Sequence, residues 1–152
     1  MHRAWFGVLM VGALLSACGE GAGATGDEPQ PSAVIEGAYV GELSVETDVP
    51  ADAIFASCEI EVDGDGSVTG VVTSKAPSAT VGEEGTVTGR LTPEDAISYE
   101  TELTIAFPSL GTVRAAGVLV FAEPTRSLAG QLSALDEGGH LLGNAAFVAH
   151  QE

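Results

Sequence analysis

The chain has 152 residues, of which 45% are hydrophobic, and its 22 acidic side chains outnumber five lysines and arginines. A formal net charge of −17 repels nucleic acid and anionic lipid headgroups, so neither is expected as a partner. The length suits one domain with a single hydrophobic core.

The first 18 residues show the order of features found in an exported protein. His2 and Arg3 form a short basic start, and an apolar run follows from Ala4 to Leu15. That run is shorter than the about 20 apolar residues of a permanent transmembrane helix, and it is typical of the centre of a secretory signal peptide. Leu15-Ser16-Ala17-Cys18 then resembles the lipobox of bacterial lipoproteins.

This resemblance implies a cleaved signal peptide over residues 1–17 and lipid on Cys18. In bacterial lipoproteins the cysteine thiol receives a diacylglycerol, and the new amino terminus is acylated, for example with palmitate. Two or more acyl chains give lasting membrane attachment, whereas one chain binds reversibly. Gly19 stands where an aspartate would retain the protein at the inner membrane, so the resemblance implies the outer membrane of a Gram-negative cell envelope. The alternative is a secreted protein that is cut near Ala17 and carries no lipid.

The rest of the chain divides into a tether and a domain. Residues 18–33 contain the candidate lipidated cysteine and then mostly Gly, Pro, Ser and acidic residues, which predicts a flexible tether. Residues 34–152 alternate apolar and polar positions between short turn signals, which predicts an all-β domain. We expect an antiparallel meander that forms a small closed or partly open β-barrel. About eight strands are expected, at 37–46, 55–63, 67–74, 85–92, 96–107, 112–122, 126–134 and 141–150.

Glycine recurs in the middle of the predicted strands, in phase with the inward apolar residues. Glycine within a strand costs roughly 0.5–1 kcal/mol relative to alanine, so this repetition needs a geometric reason. One reason is that glycine lets the strands coil and close a narrow barrel; another is that it makes room for bulky groups inside. The favoured filling is a set of side chains from the fifth strand, with Ile97 also facing inward, and a ligand is the alternative. The candidate interior residues are Gly41, Gly70, Gly89, Gly117, Gly130, Tyr99, Leu103 and Phe107, with Gly143 a less regular member of the glycine series.

The sequence "GAYVG" at 37–41 is similar to the Gly-x-Trp motif at the start of lipocalins and other calycins, with Tyr39 in place of the tryptophan. The similarity covers this motif and the expected strand number. It implies a meander barrel that is open at one end and takes a small hydrophobic molecule.

No set of residues predicts a reaction, so we expect a protein that is not an enzyme and has no metal or cofactor. Cys58 lies in phase with the inward apolar residues and is expected in the core. His140 is expected in an exposed turn, and Glu100 and Glu102 on a solvated strand face. "DGDGS" at 63–67 could be a calcium loop, but the Asp-Gly steps favour a plain hairpin turn.

Two functions follow from these expectations. The first is a cell-envelope lipoprotein whose β-barrel binds a small apolar ligand without catalysis. The alternative is a surface interaction or structural lipoprotein with a packed core and no ligand; its protein partner is not identified by the sequence.

Overall fold

The computed structural model describes residues 34–50 and 53–152, which form a closed antiparallel barrel with each strand paired to the next and β8 paired to β1. The predicted all-β meander is therefore confirmed. Short 3-10 helices, Ser78–Thr80 and Glu123–Thr125, lie in two of the connections. The strands are β1 (Gly37–Thr47), β2 (Ile54–Val62), β3 (Ser67–Ala76), β4 (Glu84–Pro93), β5 (Ser98–Phe107), β6 (Gly111–Ala122), β7 (Ser127–Leu135) and β8 (Leu141–Gln151).

Alternation along each strand builds the core inside the barrel. In β5, Tyr99, Leu103 and Phe107 are all no more than 3% exposed, while Glu100 and Glu102 face solvent. Thr101 is the buried polar residue of the same strand, and its hydroxyl donates to the backbone oxygen of Tyr99 at 2.9 Å. The barrel interior along β5 is therefore filled by the protein's own side chains.

The prediction that Ile97 faces inward is wrong. Ile97 is 51% exposed, and β5 begins one residue later, at Ser98. The carboxylate of Asp95 accepts hydrogen bonds from the backbone N–H groups of Ile97 and Ser98, at 2.9 and 2.8 Å. The local turn ends the strand alternation before Ser98, so the side chain of Ile97 faces solvent although its backbone oxygen still accepts a hydrogen bond from the N–H of Phe121.

The inward glycines allow neighbouring strands to approach closely. A Cβ added at Gly41 would lie within 3.0 Å of the backbone oxygen of Val148 and of the Cα atom of Ala149. A Cβ at Gly89 would meet the backbone of Glu102 and Leu103 in the same way. The first of the two geometric reasons is therefore sufficient: these glycines are needed for strand coiling, whether or not a ligand is present.

The two ends of the barrel differ. The connections after β2, β4 and β6 lie at one end, together with the start of the domain, and the connections after β1, β3, β5 and β7 lie at the other. Ile35 is fully buried at the first end, and the hydroxyl of Tyr39 donates to its backbone oxygen at 2.8 Å. Burial raises the pKa of Tyr39 to about 12, so the hydroxyl keeps its proton at neutral pH. We call this the closed end and the other end the mouth.

Ile35→Ala should reduce the free energy of unfolding by about 2–4 kcal/mol, because it removes a fully buried side chain from the closed end. Urea unfolding followed by circular dichroism measures the loss. Val34→Ala is the control, since Val34 is the preceding residue and is 38% exposed. Similar losses for the two variants would show that Ile35 does not close the barrel.

Candidate functional site: the mouth of the barrel

A cavity of about 500 Å³ opens at the mouth. Its volume lies within the range of about 300–1,000 Å³ that is usual for small-molecule sites. Val45, Ile54 and Val113 form its floor, and each is no more than 8% exposed. The complete lining is Val45, Thr47, Asp48, Val49, Ile54, Pro77, Ser109, Leu110, Val113, Leu141 and Leu142.

The lining is mainly apolar, and the apolar surface continues onto the rim. Val49 is 53% exposed and Leu141 is 68% exposed, and Leu110 and Leu142 are partly buried against the core. Val81, in the connection after β3, adds another exposed aliphatic side chain at this end of the barrel. Contiguous exposed apolar surface is common at binding sites, which makes the mouth a candidate site.

Hydrogen bonds fix the loops that form the rim. The backbone N–H of Ser109 donates to the Glu83 carboxylate at 2.6 Å, which joins the connection after β5 to the connection after β3. Within the latter connection, the Thr80 hydroxyl donates to the backbone oxygen of Pro77 at 3.0 Å and lies 3.1 Å from the Ser74 hydroxyl. The Thr47 hydroxyl donates to the backbone oxygen of Val49 at 2.7 Å. These hydrogen bonds hold the connections after β3 and β5 against each other at the rim.

The candidate interior residues from the sequence lie elsewhere. Gly41, Gly117, Gly130, Tyr99 and Phe107 lie on the packed inner face of their strands, with Tyr99 toward the closed end and Phe107 toward the mouth, and none of them lines the mouth cavity. Gly70, Gly89 and Leu103 also lie outside the lining of the mouth cavity. These three border smaller pockets, of about 260 Å³ for Gly70 and about 150 Å³ for Gly89 and Leu103, that also contain outward residues.

The cavity was missed because five of its eleven lining residues come from connections, where strand periodicity gives no information, and because the periodicity does not show which strand ends meet. The sequence nevertheless contains a feature that indicates the cavity. Val49, Val81, Leu110 and Leu141 are apolar residues in or beside segments that otherwise have the composition of solvated turns. In an up-and-down meander the alternate connections meet at one end, so apolar residues in every second connection predict an apolar mouth.

Cys58 is 1% exposed, which confirms its predicted place in the core. Burial raises the pKa of its thiol to about 11, so the thiol is protonated at neutral pH and is a poor nucleophile. The histidine beside the mouth, His140, is exposed as predicted, and its Nδ1 lies 3.1 Å from the Asp136 carboxylate. These residues form no shared site, because one is inside the barrel and the other is in a turn.

The "DGDGS" segment forms a turn between β2 and β3. Asp65 accepts a hydrogen bond from the backbone N–H of Ser67 at 2.9 Å, and this bond lowers the pKa of the Asp65 carboxyl. Within residues 34–50 and 53–152, no three His, Cys, Asp or Glu side chains converge as metal ligands would. The same residues contain no helix that is both long and apolar enough to cross a membrane.

Comparison with protein families and with characterised proteins gives no match. Among solved structures, the chain is similar to a redesigned β-barrel, with a TM-score of 0.50 and 13% sequence identity. The match covers 81% of this chain and 96% of the redesigned barrel. At this identity the likeness establishes the barrel fold alone.

Proposed function

We propose that the protein is a lipid-anchored component of the bacterial cell envelope, and that its barrel binds a small apolar molecule at the mouth without chemical conversion. The attachment would be through acyl chains on Cys18, for which the lipobox-like sequence is the support. The observation that supports ligand binding is the mouth cavity of about 500 Å³.

The shape of the cavity suits a molecule that enters end-on. Its floor is made of buried aliphatic side chains from β1, β2 and β6, and its rim carries the hydroxyls of Thr47 and Ser109 and the carboxylate of Asp48. An apolar body on the floor would remove water from aliphatic surface, at roughly 25 cal/mol per Å². A polar group on the ligand could stay at the rim, in contact with water. A small amphiphilic molecule meets both conditions.

One observation favours the alternative function, a surface interaction lipoprotein. Strands β6, β7 and β8 contain no Asp or Glu, although the chain has 22 acidic residues. Their outer face exposes Val118, Val120 and Val148 at 38–44%. In this alternative that wall, whose strands carry no acidic residue, contacts another protein, and the mouth cavity has no ligand.

Leu141→Glu and Val148→Glu separate these functions. Both residues belong to β8 and are exposed, by 68% and 44%, but Leu141 lines the mouth and Val148 lies on the outer wall. The full chain, purified from its own envelope, is examined by native mass spectrometry. We expect a reproducible added mass of a small molecule on the wild-type protein and on Val148→Glu, and a loss of at least tenfold in its occupancy on Leu141→Glu.

Other outcomes are equally informative. A bare wild-type mass, with a copurifying protein that Val148→Glu removes, would support the surface interaction function and contradict ligand binding. An added mass that both variants retain equally would place the ligand outside the mouth.

A further inference from the structure

The carboxylates around the mouth differ in whether they already have a hydrogen-bond or ion-pair partner. Asp48 is the charged residue of the cavity lining. Asp48 is exposed, and its side chain has no hydrogen bond or ion pair with any described residue. Asp136, in another connection at this end, accepts a hydrogen bond from the backbone N–H of His140 and lies beside the His140 ring. The Glu83 carboxylate is likewise occupied by the backbone of Ser109. Asp48 is thus the carboxylate of the cavity lining, and it is available to a ligand.

No basic side chain offsets this charge in the cavity. Lys75, on β3, places its Nζ 3.2 Å from the Glu42 carboxylate on the outer wall. Arg114, on β6, is exposed and borders the small outer pocket that also contains Arg90 and Glu102. The lining itself contains no Lys, Arg or His. A carboxylate or phosphate headgroup would therefore meet like charge at the rim and find no partner.

We infer that the mouth selects an amphiphile with a cationic headgroup, whose aliphatic chain rests on the floor of the cavity and whose charge lies beside Asp48. This inference rests on the proposed function and names its ligand class. Fatty acids and other anionic amphiphiles of the same chain length are rejected by the same carboxylate. The overall charge of −17 adds a weaker, salt-dependent attraction for cations everywhere on the surface.

Three probes with the same tail test the inference on the purified full chain, below their micelle concentrations: decyltrimethylammonium, 1-decanol and decanoate. Isothermal titration gives the affinities, and amide NMR shifts at Val49 and Leu110 show whether binding is at the mouth. We expect the affinity order cation, alcohol, carboxylate. Asp48→Asn should weaken cation binding by about two- to fivefold, the range for an exposed ion pair, and leave decanol unchanged.

Asp63→Asn is the matched control, because it removes the same charge in the turn at the closed end. It should change cation binding by much less than Asp48→Asn. Equal effects of the two variants would contradict a role for Asp48 and indicate bulk charge. Equal affinity for all three probes, or tighter binding of decanoate, would overturn the charge selectivity while leaving the proposed apolar site intact. If no probe shifts the mouth residues, the proposed function itself fails.

Discussion

Replacing Cys18 with serine is expected to move the protein from the membrane fraction to the soluble fraction of the cell, almost completely. A serine hydroxyl cannot form the thioether that would carry the diacylglycerol. Each buried methylene of an acyl chain contributes about 0.8 kcal/mol to membrane binding, so losing the chains removes far more binding energy than any surface substitution. The acidic domain offers no basic patch that could replace them.

The deciding measurement is the incorporation of labelled palmitate, combined with fractionation. The wild-type protein should carry the label and Cys18→Ser should not. Cys58→Ala is the control: Cys58 is buried in the barrel, so this variant should keep both label and attachment. An unlabelled wild-type protein would contradict lipidation, even if an uncleaved apolar leader held it at the membrane.

Gly41→Ala is expected to destabilise the barrel by about 2 kcal/mol. Strand propensity alone predicts the opposite sign, since alanine is favoured over glycine by roughly 0.5–1 kcal/mol within a strand. The added Cβ, however, would overlap the backbone oxygen of Val148 and the Cα and Cβ atoms of Ala149, which cannot move without displacing β8. Overpacking of this kind typically costs 1–3 kcal/mol.

Urea unfolding measures the change in the free energy of unfolding, and its sign alone distinguishes steric overlap from strand propensity. Gly138→Ala is the matched control, because a Cβ at this turn position would chiefly meet the exposed side chain of His140, at 3.0 Å, which can rotate away. Its effect should be within about 0.5 kcal/mol. A stabilised Gly41→Ala variant would mean that β1 and β8 do not approach as closely as the structure shows.

The fold was predicted mainly from the alternation of apolar and polar residues along the strands. The eight predicted strands correspond to β1–β8, and all of their ends agree to within two residues. This works because every strand packs one face on the core and exposes the other, so the alternation is continuous. Ile97 shows the limit of the method: the side chain of Asp95 bonds to the local backbone and ends the alternation, which no period of two can indicate.

The mouth was not predicted, for a different reason. Val49, Leu110 and Leu141 are separated by many residues in the sequence and are adjacent only because the connections after β1, β5 and β7 meet at one end. The glycine pattern correctly located the inner face, but an inner face can be packed with side chains, as Tyr99 and Phe107 show. Finding a cavity requires the arrangement of the loops as well as the phase of the strands.

The closed end, where Ile35 is buried and Tyr39 bonds to its backbone, is also where the chain enters the barrel. The start of the domain and the mouth cavity are therefore at opposite poles of the barrel. A barrel held directly at residue 34, for example by a short fusion to a support, would leave its mouth pointing away from that support. A molecule bound at the mouth would then exchange with the surrounding solution or with a second protein, without passing through the support.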